Sequence, residues 1–219
     1  MSARTALPHI GTDEAGKGDY FGPLVVAAAY ADALALARLP EAGVKDSKRL
    51  TESSLRDKEK IVKQVCPAYE VVLISPAKYN ELLPKMRNLN HLLAWAHARA
   101  LESLLGNPAC QECRLAVADQ FGDESYLQQA LMQRGREVEL VQAVRAESDP
   151  AVAAASVLAR AAFLRGLEAL SRRVGMALPR GATHVLPAGR RVYAQGGLPL
   201  LGQVAKLHFK TTRQVVGAE

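Results

Sequence analysis

Aromatic residues are scarce in this 219-residue chain: Phe, Trp and Tyr make up 5% of it, with a single Trp. That supply argues against a row of stacking rings as the means of holding a single-stranded nucleic acid. Cysteine is rarer still. Cys66, Cys110 and Cys113 are too few and too oddly counted for a disulfide framework, and they suit a reducing compartment. Cys110 and Cys113 form one C-x-x-C, but a structural zinc site needs a second pair of ligands and the sequence offers none. No segment approaches the roughly 18 uninterrupted apolar residues of a membrane span, and MSARTALPHIGTDE at the start lacks an apolar core of signal-peptide length. Internal repeats and low-complexity blocks are absent too. The expectation is a cytoplasmic protein with no membrane partner.

What is present is a core and a positive charge. A 49% hydrophobic share with 23% charged residues excludes wholesale disorder. At about 100–200 residues per domain, residues 1–219 read as one domain. Lys and Arg outnumber Asp and Glu by 28 to 22, leaving +6, a balance that suits a polyanion held through its backbone.

Along the chain, His9 to Thr12 leads as a strand into a glycine-rich turn, and Pro23 to Ala31 follows as an almost wholly apolar strand suited to burial on both faces. Thr51 is placed to cap a charged helix running to about Val65, and Tyr69 to Ile74 reads as another strand. From Asn88, the residues Leu89, Leu92, Leu93, Ala96, Ala100, Leu101 and Leu104 recur at helical spacing until Gly106 and Pro108 end the helix. Cys113 to Ala118 is a short apolar strand delivering Asp119 at its end. Val138 to Val144 is another, with Glu147 just beyond. Asp149 and Pro150 start a helix with an Ala-rich face that permits close approach of a neighbouring backbone. Gly175 to Gly202 reads as an irregular excursion with a short helix near Val192. The base reading is mixed α/β.

The most informative segment is GTDEAGKGDYFGP, Gly11 to Pro23. Adjacent carboxylates leave an apolar strand, and glycines follow that let a backbone approach a ligand closely. A charged hairpin is the plain alternative. Gly11 through Lys17 fit the first seven positions of a phosphate-binding G-x-x-x-x-G-K-[ST] loop. The eighth is Gly18, so the magnesium-holding hydroxyl is missing, and two carboxylates would repel a nucleotide. The carboxylates make better sense as a metal site. Mg²⁺ prefers oxygen ligands, and two ions about 4 Å apart can stabilise both the attacking and leaving oxygens of phosphodiester hydrolysis. Asp13, Glu14, Asp119 and either Glu147 or Asp149 each stand at or just past an expected strand end, where ligands of α/β proteins gather. Taken singly, any of them could be a surface or capping carboxylate.

Read together, six segments in order resemble the type 2 ribonuclease H superfamily, and within it the ribonuclease HIII branch. They are GTDEAGKGDYFGP, KDSKRLT (45–51), NLNHLLAWAHARALE (88–102), ADQF (118–121), VAAASVLAR (152–160) and VAKLHFKTT (204–212). Gly16-Lys17-Gly18 with its continuation, and the ending from Lys206 to Thr212, resemble HIII more than HII. The resemblance implies a ribonuclease H-like α/β fold: a mixed central β-sheet flanked by helices, with a helical C-terminus. It also implies endonucleolytic cleavage of the RNA strand of an RNA/DNA hybrid duplex with Mg²⁺ or Mn²⁺, leaving 5′-phosphate and 3′-hydroxyl ends, by a monomer. The alternative is HII-type cleavage at a single embedded ribonucleotide.

By the same resemblance, Asp13, Glu14 and Asp119 are metal-binding catalytic carboxylates. Glu147, beginning Glu147-Ser148, resembles the family's fourth acid, while Asp149 is better explained as a helix cap; a shifted register would reverse that choice. Gly16, Lys17 and Gly18 match the turn that reads the 2′-hydroxyl and phosphate. Ser47 and Lys48 would contact the backbone, or else form a solvated loop. Asn88 and Asn90 resemble a polar pair reaching the minor groove, although Asn88 could equally be a helix N-cap. Ser156, Lys206 and Lys210 are candidates for phosphate contacts, and His208 reads as a packed or capping residue. The family pattern includes a separate N-terminal substrate-binding domain where this sequence has eight residues before His9. Affinity is therefore expected to come from a basic surface and to depend on salt.

Overall fold

The computed structural model describes residues 7–44 and 50–217. Ser47 and Lys48 lie outside the described residues. Strands β1 (His9–Ala15) and β2 (Leu24–Ala31) flank the glycine-rich turn, and β2 is buried at every position, as its unbroken apolar run requires. Next come α1 (Ala33–Glu41), α2 (Glu52–Val65) and β3 (Ala68–Ile74). The Thr51 hydroxyl accepts the Ser54 N–H at the start of α2, satisfying one of the donors that a helix start leaves open. Then follow α3 (Pro76–Leu82), α4 (Leu89–Leu105), β4 (Leu115–Asp119), α5 (Glu124–Ala130) and β5 (Glu139–Ala143). The chain continues through α6 (Pro150–Arg173), α7 (Leu186–Val204) and α8 (Lys210–Val216). The expected mixed sheet is present, with strand order β3-β2-β1-β4-β5.

Two compact units are built from these elements. The first comprises residues up to Ala15, Val26–Val72 and Asn88–Ala161. In it β1, β4 and β5 run parallel, with Thr12 beside Ala118 and Asp119 beside Ala143. The strand period of two sends alternate β1 residues to different helices. His9, Gly11 and Asp13 meet the start of α6: His9 bonds Asp149, a Cβ at Gly11 would lie 2.1 Å from the Ala151 carbonyl carbon and the Val152 nitrogen, and Asp13 bonds Ser156. Thr12 and Glu14 instead face His97 of α4. Only a glycine at position 11 admits such backbone contact. Leu115 and Val117 of β4 pack with Ala146 and Val152, each buried Val or Leu contributing about 1.5–3 kcal/mol. Helix α6 is long and apolar enough to cross a membrane, yet 78% of its apolar window is buried within the protein.

The second unit comprises Gly16–Val25, Leu73–Arg87 and the chain from Ala162. Residues 175–185 are irregular and a helix surrounds Val192, as expected, but helical structure starts at Leu186 and resumes beyond Gly197 to Val204, so α7 occupies more of the segment than one short helix. Pro187 falls in its first turn, where a missing N–H costs no hydrogen bond. Non-helical backbone at Gly196 and Gly197 divides the element, and buried Val192, Leu201 and Val204 hold both pieces. Asn80 of α3 donates to the carbonyls of Gly202 and Ala205 and accepts from Leu207 N–H, all at 2.9 Å. One amide side chain thus fixes the passage from α7 into the closing segment.

Candidate metal and nucleic-acid site

Three carboxylates share one end of the parallel strands. The β1–β4 register pairs Thr12 with Ala118, so Asp13 and Asp119 are the next residues of adjacent strands. Asp13 is 6% exposed, and its Oδ1 accepts the Glu14 backbone N–H at 2.7 Å. Burial, the neighbouring Glu14 charge and, more weakly, Asp119 push its carboxyl up to about 7, against the opposing hydrogen bond from Ser156. Asp119 Oδ1 accepts the Ala146 N–H at 2.8 Å. That contact draws the Ala146–Ser148 turn, and with it half-buried Glu147, to the end of β4. The turn is aimed by Arg145, which takes a left-handed φ of 58°.

Asp149 is committed elsewhere. Its Oδ1 accepts the Ala151 and Val152 N–H groups at 2.9 and 3.1 Å, capping α6. The same carboxylate faces His9 Nε2 at 2.9 and 3.0 Å. His9 Nδ1 in turn points at the Leu7 carbonyl, 2.7 Å away. Burial alone would lower the His9 pKa, but the Asp149 hydrogen bond and charge, aided by Leu7, raise it. The buried His9–Asp149 hydrogen bond therefore pins β1 to the start of α6.

Whether these acids suit a divalent cation is decided by donor chemistry and charge. Hard carboxylate oxygens are what Mg²⁺ and Mn²⁺ take. Burial and like charge both disfavour the ionised Asp13, a cost a cation would offset. Among the described residues no three Asp, Glu, His or Cys side chains are already closed into a cage. Asp13, Glu14 and Asp119 fit such an ion, with Glu147 carried nearby by its turn.

The residues proposed from the sequence for substrate contact divide into several groups. The turn after β1 closes with the Asp19 N–H on the Gly16 carbonyl at 3.3 Å; Gly16 is buried with φ +85°, and a Cβ there would lie 2.2 Å from the Pro23 carbonyl oxygen. Gly18 is exposed, Lys17 is half-buried, and Lys210 is exposed at the start of α8. Asn88 caps α4, its Oδ1 accepting the His91 N–H at 3.1 Å, while it remains exposed. Asn90 lies half-buried against Gly122.

Two expectations are corrected. Ser156 is 5% exposed and spends its hydroxyl on Asp13 rather than on a phosphate. Lys206 is fully buried, donating to the carbonyls of Asp19 and Gly22 at 2.8 and 2.7 Å, with its ammonium 5.8 Å from the Tyr79 ring centre. Burial pulls its pKa down to about 7 against the opposing charge of Asp19. It is an internal strut beneath the Asp19–Gly22 backbone, not part of a phosphate-binding surface.

His97 and His9 went unremarked in the sequence. His97 stands on the buried stripe of α4 with Leu93, Ala100 and Leu104, and a polar ring on such a stripe demands a partner. The pattern contained that signal. Nothing local marked His9, whose partner is 140 residues away.

Comparison with known proteins agrees with the geometry. The family model described as Ribonuclease HII matches residues 10–212. Ribonuclease HIII of Protochlamydia amoebophila is 45% identical over 211 residues, covering 96% of this chain and 69% of the relative. The crystal structure of Bst-RNase HIII in complex with Mn²⁺ superposes with a TM-score of 0.90 at 35% identity, over 100% of this chain and 74% of that one. Ribonuclease H2 from Pyrococcus horikoshii gives a TM-score of 0.80 at 26% identity, over 95% and 97%. Adjacent parallel strands β1 and β4 carrying acids at their ends, the long Ala-rich helix packed on Gly11 and this similarity along nearly the whole chain leave one assignment: the chain belongs to the type 2 ribonuclease H superfamily, in its ribonuclease HIII branch.

Proposed function

We propose that this protein is a ribonuclease H that hydrolyses the RNA strand of RNA/DNA hybrid duplexes with Mg²⁺ or Mn²⁺. Water adds to a backbone phosphorus and the bond to O3′ breaks, leaving a 3′-hydroxyl and a 5′-phosphate. The observation that carries this reading is the placement of Asp13, Glu14 and Asp119 at the ends of adjacent parallel strands, where burial, then the charge of Glu14 and more weakly that of Asp119, lifts the Asp13 carboxyl to about 7. When bound, the cation supplies charge stabilisation to the attacking and leaving oxygens. The chain's own residues hold the donors: Ser156 and the Glu14 N–H orient Asp13, and the Ala146 N–H orients Asp119. Glu147 is the fourth acid of this reading. The turn from Gly16 to Gly18 supplies backbone for the 2′-hydroxyl, with Lys17 and Lys210 toward phosphates. Three free, buried cysteines, two of them pushed up to about 12 by burial, support a reducing cytoplasmic setting.

The test is cleavage, first with Mg²⁺ and then Mn²⁺, of a hybrid bearing an RNA tract and of a DNA duplex bearing one ribonucleotide, with cut positions mapped. Cuts within the tract support this reading; cuts confined to the single ribonucleotide would transfer the protein to the HII specificity. Asp13→Asn and Asp119→Asn abolish cleavage while the folded circular-dichroism spectrum remains. Full activity in either variant would remove that residue from the site.

A further inference from the structure

Helix α4 brings one buried ring to the acid end of β1. His97 is fully buried, and its ring stacks on Phe121 with centroids 4.9 Å apart and planes 21° from parallel. Its Nδ1 lies 3.0 Å from the Thr12 hydroxyl. Its Nε2 is buried, makes no hydrogen bond and faces Glu14 Oε2 at 3.4 Å. Thr12 and Glu14 are two residues apart on β1, so they present to α4 together while Asp13 turns to α6.

We infer that His97 is a positioning residue for Glu14, and that Thr12 sets it. This rests on the metal-site reading above. With the Thr12 hydroxyl donating to Nδ1, the ring proton is held on Nε2, directed at the Glu14 carboxylate. Stacking on Phe121 and complete burial remove the ring's other orientations. The present separation is about half an ångström beyond a full N–H···O bond, so a small rotation of the Glu14 side chain completes the contact. A carboxylate held on one oxygen by an internal donor has less freedom to lose when it takes a cation, which is how outer donors of this kind raise metal affinity. A histidine that only fills the interior between α4 and β1 would affect stability and leave metal affinity unmoved.

The experiment is Mn²⁺ binding to the whole chain by isothermal titration calorimetry, with thermal unfolding measured on the same samples. His97→Leu raises the Mn²⁺ dissociation constant about 10–100-fold, the usual effect of removing such a donor. His97→Gln, which keeps an N–H in reach of Glu14, restores most of the loss. Thr12→Val weakens binding in the same direction, Thr12→Ser does not, and the double variant Thr12→Val/His97→Leu is no weaker than His97→Leu alone, because both act through one ring. Parental Mn²⁺ affinity in His97→Leu, or independent adding of the two losses, overturns the inference. Should His97→Leu fail to fold, Thr12→Val against Thr12→Ser decides: equal affinities overturn the inference. Asp13→Asn separates the two levels. If it too binds Mn²⁺ as the parent does, the metal-site reading falls; if it alone loses Mn²⁺, only the role of His97 falls.

Discussion

Substituting Gly11 by alanine tests whether the acid end of β1 depends on backbone contact with α6. The added Cβ would sit 2.1 Å from two main-chain atoms, the Ala151 carbonyl carbon and the Val152 nitrogen, and 2.5 Å from the Ala151 oxygen. Neither is the end of a flexible side chain that can swing away. To reach the ~3.5 Å of an ordinary carbon contact, strand and helix must part by about 1.4 Å. The same movement would carry His9 Nε2 from 2.9 Å to about 4 Å from Asp149, past hydrogen-bond reach. Overpacking costs about 1–3 kcal/mol, and leaving the buried His9 and Asp149 groups without their hydrogen bond adds about 1–3 kcal/mol, so a loss of about 3 kcal/mol is expected. For a chain of this size that lowers Tm by about 6–12 °C. Thermal unfolding by circular dichroism reads it, and Mn²⁺ calorimetry reads the accompanying loss of the Ser156 contact to Asp13. Gly18→Ala is the control, since nothing lies within 4 Å of its new methyl. A Gly11→Ala protein melting within about 2 °C of the parent and binding Mn²⁺ equally would refute the reasoning.

Glu147→Gln is expected to abolish hybrid cleavage with Tm unchanged, whereas Asp149→Asn lowers Tm while leaving detectable cleavage; the reverse pattern in the paired assays would make Asp149 the ligand. Lys206→Met leaves the Asp19 and Gly22 carbonyls without their donor, costing about 1–3 kcal/mol each. Because the Lys206 pKa is lower folded, about 7, than its ordinary 10.5, the unfolded chain binds more protons between those values. The parent's stability therefore gains from this group as pH rises from 7 to 10.5, and denaturant titrations should show that gain missing in Lys206→Met. His9 has the opposite sign, its folded pKa being raised. The stability gap between parent and His9→Gln should be fullest below pH 6.5 and close as pH climbs through the folded value, in a Tm series across that range; a gap independent of pH would mean His9 is not charged in the fold.

Most of the site's skeleton was legible because it depends on local punctuation. Asn88 and Gly106 bracket α4, and Asp149 with Pro150 starts α6, as cap chemistry requires. β1 and β4 announce themselves as apolar runs ending on acids. Short α1, α3 and α5 carry too few turns to establish a period, and α7 is disguised by its glycines and prolines. Lys206 misled for a physical reason: a lysine near the end of a basic chain reads as surface, and its burial depends on carbonyls 184 and 187 residues away. Ser156 misled because a hydroxyl on an Ala-rich face shows no sign of whether water or a carboxylate lies opposite.

The choice of fourth acid is likewise beyond spacing, since Glu147 and Asp149 stand two residues apart in one turn, and it is better argued from what each carboxylate already does. Asp149 accepts two helix N–H groups and bonds the buried His9 ring. Turning it toward a cation would strip both donors at about 1–3 kcal/mol each and leave the buried His9 Nε2 without its partner. Glu147 carries no such obligations in the described structure: it is half-buried on a turn whose Ala146 N–H is already spent on Asp119. The left-handed Arg145 fixes that turn before the helix begins, so Glu147 is positioned by backbone while Asp149 secures the helix behind it. A site assembled this way separates its structural acid from its chemical one. It follows that substitutions at 147 and 149 should divide cleanly between activity and stability.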